Sequence, residues 1–236
     1  MTIDLSRMEH WVIAPYAICL FASVVIGLIY VAVRLKRSGM KTEYIMYILF
    51  LNFISILVLG NLISAVMSFK MPLKAGFTSL GGATGVLVGA LLCSFIFKAS
   101  SKVIREACVT ALPLIYSIAK LGCLFGGCCG GIAFAGPFAV RYVRNQEIVH
   151  DYALPVPFVE TVVFLALFLA FEKMKNEISV CHMILICSMA KFMLDFLRDV
   201  HKDTMISKNQ FGCLAIMALT IICCRWNRQR YKATEI

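Results

Sequence analysis

Apolar residues in this chain come in long runs, neither alternating as in a half-buried strand nor confined to one stripe as on a surface helix. The runs cover about 12–33, 44–67, 78–97, 109–124, 158–171, 180–197 and 211–224. Runs approaching about 20 residues are the length at which a helix crosses a bilayer core. The pattern predicts an all-α, polytopic membrane protein of about seven transmembrane helices, forming one integral membrane domain over residues 1–236. Between about 126 and 157 the runs give way to glycines, prolines and mixed polar residues. A connection of that length is usually functional or disordered. Its aromatic and aliphatic stretch FAGPFAVRYV, Phe134 to Val143, predicts a small ordered, strand-like element at the membrane surface.

Polar residues inside the spans are few enough to interpret one by one. Asn52 and Asn61 in the second span predict hydrogen bonds between helices, a common form of polar glue in bundles. The third span opens with SLGGATG, in which Gly81 and Gly85, followed by Gly89, fall at four-residue spacing and predict close helix packing.

Composition agrees with a membrane solvent: 61% of residues are hydrophobic, 15% are charged, and mean hydropathy is +0.85. The net charge of +10 does not read as a nucleic-acid footprint, because the basic residues sit in short clusters between apolar runs. Arg34, Lys36, Arg37 and Lys41 follow the first span, Lys98, Lys102 and Arg105 the third, Lys173 and Lys175 the fifth, and Arg225, Arg228, Arg230 and Lys232 the seventh. Lysine and arginine concentrate on the cytoplasmic side of membrane proteins, so the bias predicts N-out and C-in. Asp4 and Glu9 flank Arg7, and no small-residue cleavage pattern follows, so the first helix is expected to remain in the mature protein. The cysteines outside residues 123–129 are scattered through helices, where they are expected to act as small apolar residues.

Two clusters carry candidate chemistry. Lys120 to Gly131, KLGCLFGGCCGG, combines a cation, glycine-rich backbone and three thiols at the end of a span. Irregular backbone at membrane depth is tolerated only where protein buries it or a wet cavity accepts it. In the sixth span Lys191, Asp195 and Arg198 recur at i, i+4 and i+7 and are expected to share one helical face. Charge on an apolar helix turns to the bundle interior or a water-filled cavity, so this face is either an internal salt-bridge ladder or an anion site for a lipid phosphate. Lys120 would add a third cation. Asp195 would orient a cation or act as a base, and Glu160 is either an interfacial carboxylate or part of the cavity. Gln210 opens the last span as a cap, a packing contact or a substrate contact. Cys123, Cys128 and Cys129 lack a tight metal-ligand spacing, so no metal and no cofactor are expected. His150 and His201 fall in outer loops; folded over the cavity, His150 would be the candidate base near neutral pH.

These stretches resemble the bacterial prolipoprotein diacylglyceryl transferases. Ala119 to Gly131 is similar to that family's cysteine-rich signature R-x-G-C-F-x-x-G-C-C-Y-G, with Lys120 in the arginine position. Lys191-Phe192, Asp195-Phe196, Arg198 and Gln210 resemble its R-F-x-x-E-F-x-R and the glutamine that follows. Leu80 to Gly85 resembles H-G-G-L-x-G, and Leu154 to Glu160 resembles H-P-x-Q-L-Y-E, with leucine in place of each histidine. The resemblance implies seven helices in the bacterial cytoplasmic (inner) membrane, acting as a monomer. It implies transfer of a diacylglyceryl group from phosphatidylglycerol, an anionic phospholipid, to the thiol of a lipobox cysteine in a preprolipoprotein, with glycerol phosphate leaving. Lys120, Lys191 and Arg198 would contact the headgroup, and Asp195 and Glu160 would orient them. Gly81 and Gly82 would let backbone approach lipid, with Gly122, Cys123, Arg141 and Gln210 also contacting substrate. The lysines keep charge but forfeit the bidentate grip of arginine. Three readings compete with catalysis by the family reaction: another transfer to or from a phospholipid headgroup, a non-catalytic lipid-binding or accessory relative, and a thiol redox or metal protein built on the three cysteines.

Overall fold

The structure, a computed structural model, describes residues 2–4, 15–69, 76–127, 129–144, 147–174, 177–202 and 204–234. Their helices are α1 Pro15–Arg37, α2 Thr42–Ser68, α3 Ser79–Ile96, α4 Ser101–Gly126, α5 Val156–Lys173, α6 Val180–Asp195 and α7 Lys208–Thr234. By length and composition α1, α2, α3, α4 and α7 are each able to cross a membrane. Of the remaining two, α5 carries three charged residues and α6 is shorter. Within its 18 residues α5 holds Glu160, Glu172 and Lys173, and the 16-residue α6 holds Lys191 and Asp195.

The bundle is organised on α4, which packs against α1, α3, α5 and α6, while α2 packs on α3 and α7 on α6. Its apolar core lies among the first four helices, with Val31, Leu35, Ile48, Ile56, Val86 and Ile104 all buried. Large apolar side chains such as Phe21, Phe50, Phe95 and Phe211 point outward, as lipid-facing helices require.

Close approach of α2 and α3 depends on the predicted glycine row. A Cβ on Gly81 would lie 2.7 Å from the Leu59 carbonyl oxygen, and one on Gly85 2.6 Å from the Ile56 Cα. Opposite Gly89, Asn52 donates to the Ile48 carbonyl of its own helix and approaches Cys93 Sγ of α3 at 3.6 Å. Asn61 departs from expectation, donating to Leu57 O one turn back within α2.

At one end of the bundle a three-stranded sheet has the order β1 (Thr2–Asp4), β2 (Val140–Arg144), β3 (Glu147–Ala153). Strands β2 and β3 form an antiparallel pair, and β1 adds in parallel to β2. The Tyr142 hydroxyl donates to Leu124 O at 2.9 Å, fastening this sheet to the end of α4.

Cysteine behaviour divides. Cys93, Cys108 and Cys213 are buried like small apolar residues, but Cys181 and Cys224 form a disulfide joining the start of α6 to α7, with Cα atoms 6.6 Å apart. The packing of α6 on α7 brings together two thiols separated by 43 positions, a proximity that span-by-span reading does not contain.

Candidate active site

The site forms where α4, α5 and the end of α6 meet, around one carboxylate. Glu160 lies in the second turn of α5, a helix begun by Pro155 at its cap and Pro157 in its first turn. Its side chain is fully buried. Lys120 Nζ reaches Oε2 at 2.9 Å, Lys191 Nζ reaches Oε1 at 2.5 Å, and Arg198 Nη2 stands 3.4 Å from both oxygens. The Tyr116 hydroxyl, one turn before Lys120 on α4, donates to Oε1 at 3.2 Å. Its ring lies 5.2 Å from the Lys120 ammonium and 5.8 Å from that of Lys191, within range of cation–π attraction.

Asp195 forms the second anionic centre. Its Oδ1 is 3.2 Å from both Lys191 Nζ and Arg198 Nε. The Arg198 contact is ionic only, since Nε is not aligned for a hydrogen bond. The other oxygen, Oδ2, accepts from the Ser207 hydroxyl. Three cations therefore face two carboxylates, leaving the buried cluster with an excess of positive charge.

Arg198 reaches the cluster by a route that helical periodicity does not describe. Helix α6 ends at Asp195, and Arg198 follows a tight turn in which its N–H donates to Asp195 O. Backbone from the glycine-rich segment then clamps it: Ile132 N donates to Leu197 O, Asp199 N donates to Gly130 O, and Gly131 bridges Arg198. Gly131 has no room for a side chain, because a Cβ there would lie 2.2 Å from Leu154 O.

Two cavities flank the cluster. The larger, about 220 Å³, is walled mainly by apolar residues of α1 to α4 and is also lined by Lys120, Cys123, Cys129 and Arg198. The smaller, about 70 Å³, lies on the other side of Tyr116, between α3, α4, α6 and α7, and is bounded by Lys191. Asn209 and Tyr116 line both.

The remaining candidates fall in different places. Gly82 lines the larger cavity, whereas Gly81 is pressed against α2. Gly122 packs on α1, where a Cβ would lie 2.9 Å from Cys19 Cβ. Arg141 lines neither cavity and pairs with Asp151 at 3.2 Å. Gln210 is a helix cap: Gln210 Oε1 accepts from Ser207 N at 2.9 Å, and Gln210 N donates to Ser207 Oγ at 3.1 Å. His150 pairs with Tyr142 across the β2–β3 ladder, and its side chain lies outside the described part of the structure, as does Cys128. His201 caps nothing in the site; it stacks on Phe196. Among the described residues no group of three or more metal-ligating side chains converges.

Residues 5–226 match the family described as prolipoprotein diacylglyceryl transferase, nearly the whole chain. The chain belongs to that family. No curated protein matches it. As a diacylglyceryl transferase family member it is a multi-pass inner-membrane protein with a transferase identity, and its helical bundle agrees with that placement. Within the family frame, Leu80 lines the smaller cavity and packs on α7, where a Cβ on Gly212 would meet it at 2.2 Å.

Two participants escape a reading by charge and motif. Tyr116 is signalled only by lying four residues before Lys120 on one helix. Ser207 is signalled by S-x-x-Q, the capping-box spacing. The signal marks a helix start, and the hydroxyl's contact with Asp195 becomes visible only in three dimensions.

Proposed function

We propose that this protein transfers the diacylglyceryl group of an anionic phospholipid, phosphatidylglycerol, to the thiol of a lipobox cysteine in a preprolipoprotein, from the outer leaflet of an N-out, C-in bundle. The observation carrying this reading is the convergence of Lys120, Lys191 and Arg198 on buried Glu160 beside a largely apolar cavity that Lys120 and Arg198 help to line. Acyl chains suit its apolar walls, and the excess positive charge suits a phosphodiester. Lys120 and Arg198 line the larger cavity and would hold the phosphate, while Lys191 faces the smaller one and holds Glu160 and Asp195 in place.

In this reaction the acceptor thiolate attacks the glyceryl carbon bearing the phosphate. The carbon–oxygen bond breaks, and the pair of electrons leaves with glycerol phosphate. Cations placed where that charge develops lower the barrier, and removal of one such group typically costs about 100- to 1,000-fold in rate. Lysine supplies a point charge in place of the two parallel hydrogen bonds of arginine, so Lys120 holds a phosphate with less directional control than arginine would.

The test is incubation of purified protein with radiolabelled phosphatidylglycerol and a lipobox peptide, scoring lipidated peptide and released glycerol phosphate together. Both products are expected from the wild type. Lys120→Gln and Arg198→Gln should each reduce turnover by about 100-fold or more, and Lys120→Arg should preserve it. Lipid retention without either product would instead mark a lipid-binding relative of the family.

A further inference from the structure

Transfer to a thiol requires that the thiol lose its proton, and the cavity restricts what can accept it. Among the described residues lining the larger cavity, the groups with an exchangeable side-chain proton that could titrate are Tyr16, Tyr116, Lys120, Cys123, Cys129 and Arg198. No carboxylate or imidazole is among them. Arginine keeps its proton, Lys120 is engaged as a cation by Glu160, and a thiol is intrinsically more acidic than a phenol, so the thiols are the lining groups most readily present as a base. Lys120 Nζ donates toward Cys129 Sγ at 4.0 Å. An ammonium beside a sulfur favours the thiolate, the form that accepts a proton. Cys129 lies three residues past the end of α4, ahead of the segment that clamps Arg198, and lines the same cavity as both cations.

We propose that Cys129 is the proton acceptor of the transfer step, a reading that rests on the diacylglyceryl transfer proposed above. The Cys129 thiolate takes the proton of the acceptor thiol. The new thiolate forms the carbon–sulfur bond as the carbon–oxygen bond to phosphate breaks, and Lys120 and Arg198 stabilise the departing phosphate. The proton on Cys129 then passes to the phosphate monoester or to water, restoring the thiolate; no electrons are exchanged and no co-reactant is needed. The titratable and charged groups around the cavity that Cys129 lines are Lys120, Cys123 and Tyr116 of α4, Tyr16 of α1 and Arg198 after α6, with Glu160 of α5 paired to Lys120, while α7 contributes the non-ionising Asn209.

Two measurements test this. In the lipidation assay, Cys129→Ala and Cys129→Ser should retain phosphatidylglycerol while losing about 100-fold or more in kcat. Cys129→His should restore part of it, with the acid limb of the pH profile moved toward about 6.5. Independently of turnover, iodoacetamide labelling resolved at Cys129 by mass spectrometry should slow by about tenfold in Lys120→Gln at pH 7 as the thiolate fraction falls. Wild-type kcat in both Cys129→Ala and Cys129→Ser, an acid limb that disappears in His150→Ala instead, or labelling insensitive to Lys120 would each overturn the assignment while leaving the transferase reading intact. A wild-type protein that binds lipid and never lipidates the peptide overturns both.

Discussion

Glu160 shows how one residue can change meaning between chain and fold. By position it is a carboxylate near the start of a span, which a hydrated interface could accommodate. In the bundle it is fully buried and contacts Lys120, Lys191, Arg198 and Tyr116. Removing its charge would leave three buried cations with Asp195 as the cluster's remaining carboxylate, and Lys120 without its ion-pair partner. Breaking a buried ionic arrangement by deleting one partner costs about 3–5 kcal/mol, so Glu160→Gln should lower the thermal unfolding midpoint sharply in detergent. A midpoint within a degree or two of wild type would mean that water or lipid, not Glu160, balances the cations. The cations themselves were legible, because Lys120, Lys191 and Arg198 are conspicuous in apolar surroundings. Glu160 is legible as their orienting partner only through the family resemblance; the residue pattern alone leaves it an interfacial carboxylate or part of the cavity, since it lies 31 residues from Lys191 and a sequence contains no distance across a bundle.

At the scale of elements, small residues and caps set the geometry that those charges need. The α2–α3 contact passes through Gly81, Gly85 and Gly89, and their spacing was readable because four residues return to the same helical face. Gly85→Leu would drive a branched side chain into the α2 backbone at Ile56, so we expect lost expression or a marked drop in unfolding midpoint, with solvent-facing controls unaffected. Retained stability would show that α2 and α3 separate easily. At the other end of the site, Ser207 both caps α7 and donates to Asp195. Ser207→Ala therefore removes a cap worth about 0.5–2 kcal/mol and frees Asp195 Oδ2. Lower stability accompanied by weaker anionic lipid retention is the expected result, whereas loss of stability alone would confine Ser207 to the cap. The position of Arg198 was misread by periodicity, because α6 stops at Asp195 and a turn and a backbone clamp complete the approach.

For the whole molecule, the central position of α4 explains why the site lies at its end, where α5 and α6 deliver their charges. Orientation is an expectation from basic clusters, and it is checkable: a protease-cleavable tag after residue 236 should survive treatment of intact spheroplasts and be cut in inverted vesicles. Cleavage from the outside would reverse the bundle and place the cavity in the inner leaflet. The sequence by itself determined the solvent, the apolar helices, the glycine row and the identity of the buried cations, because each depends on composition or on periodicity within one segment. Only the tertiary structure decided that Glu160 joins the cations, that Lys191 borders a cavity apart from Lys120 and Arg198, and that Cys181 meets Cys224. Those relations are distances between segments far apart in the chain, fixed by how helices pack, and no local pattern of residues encodes them.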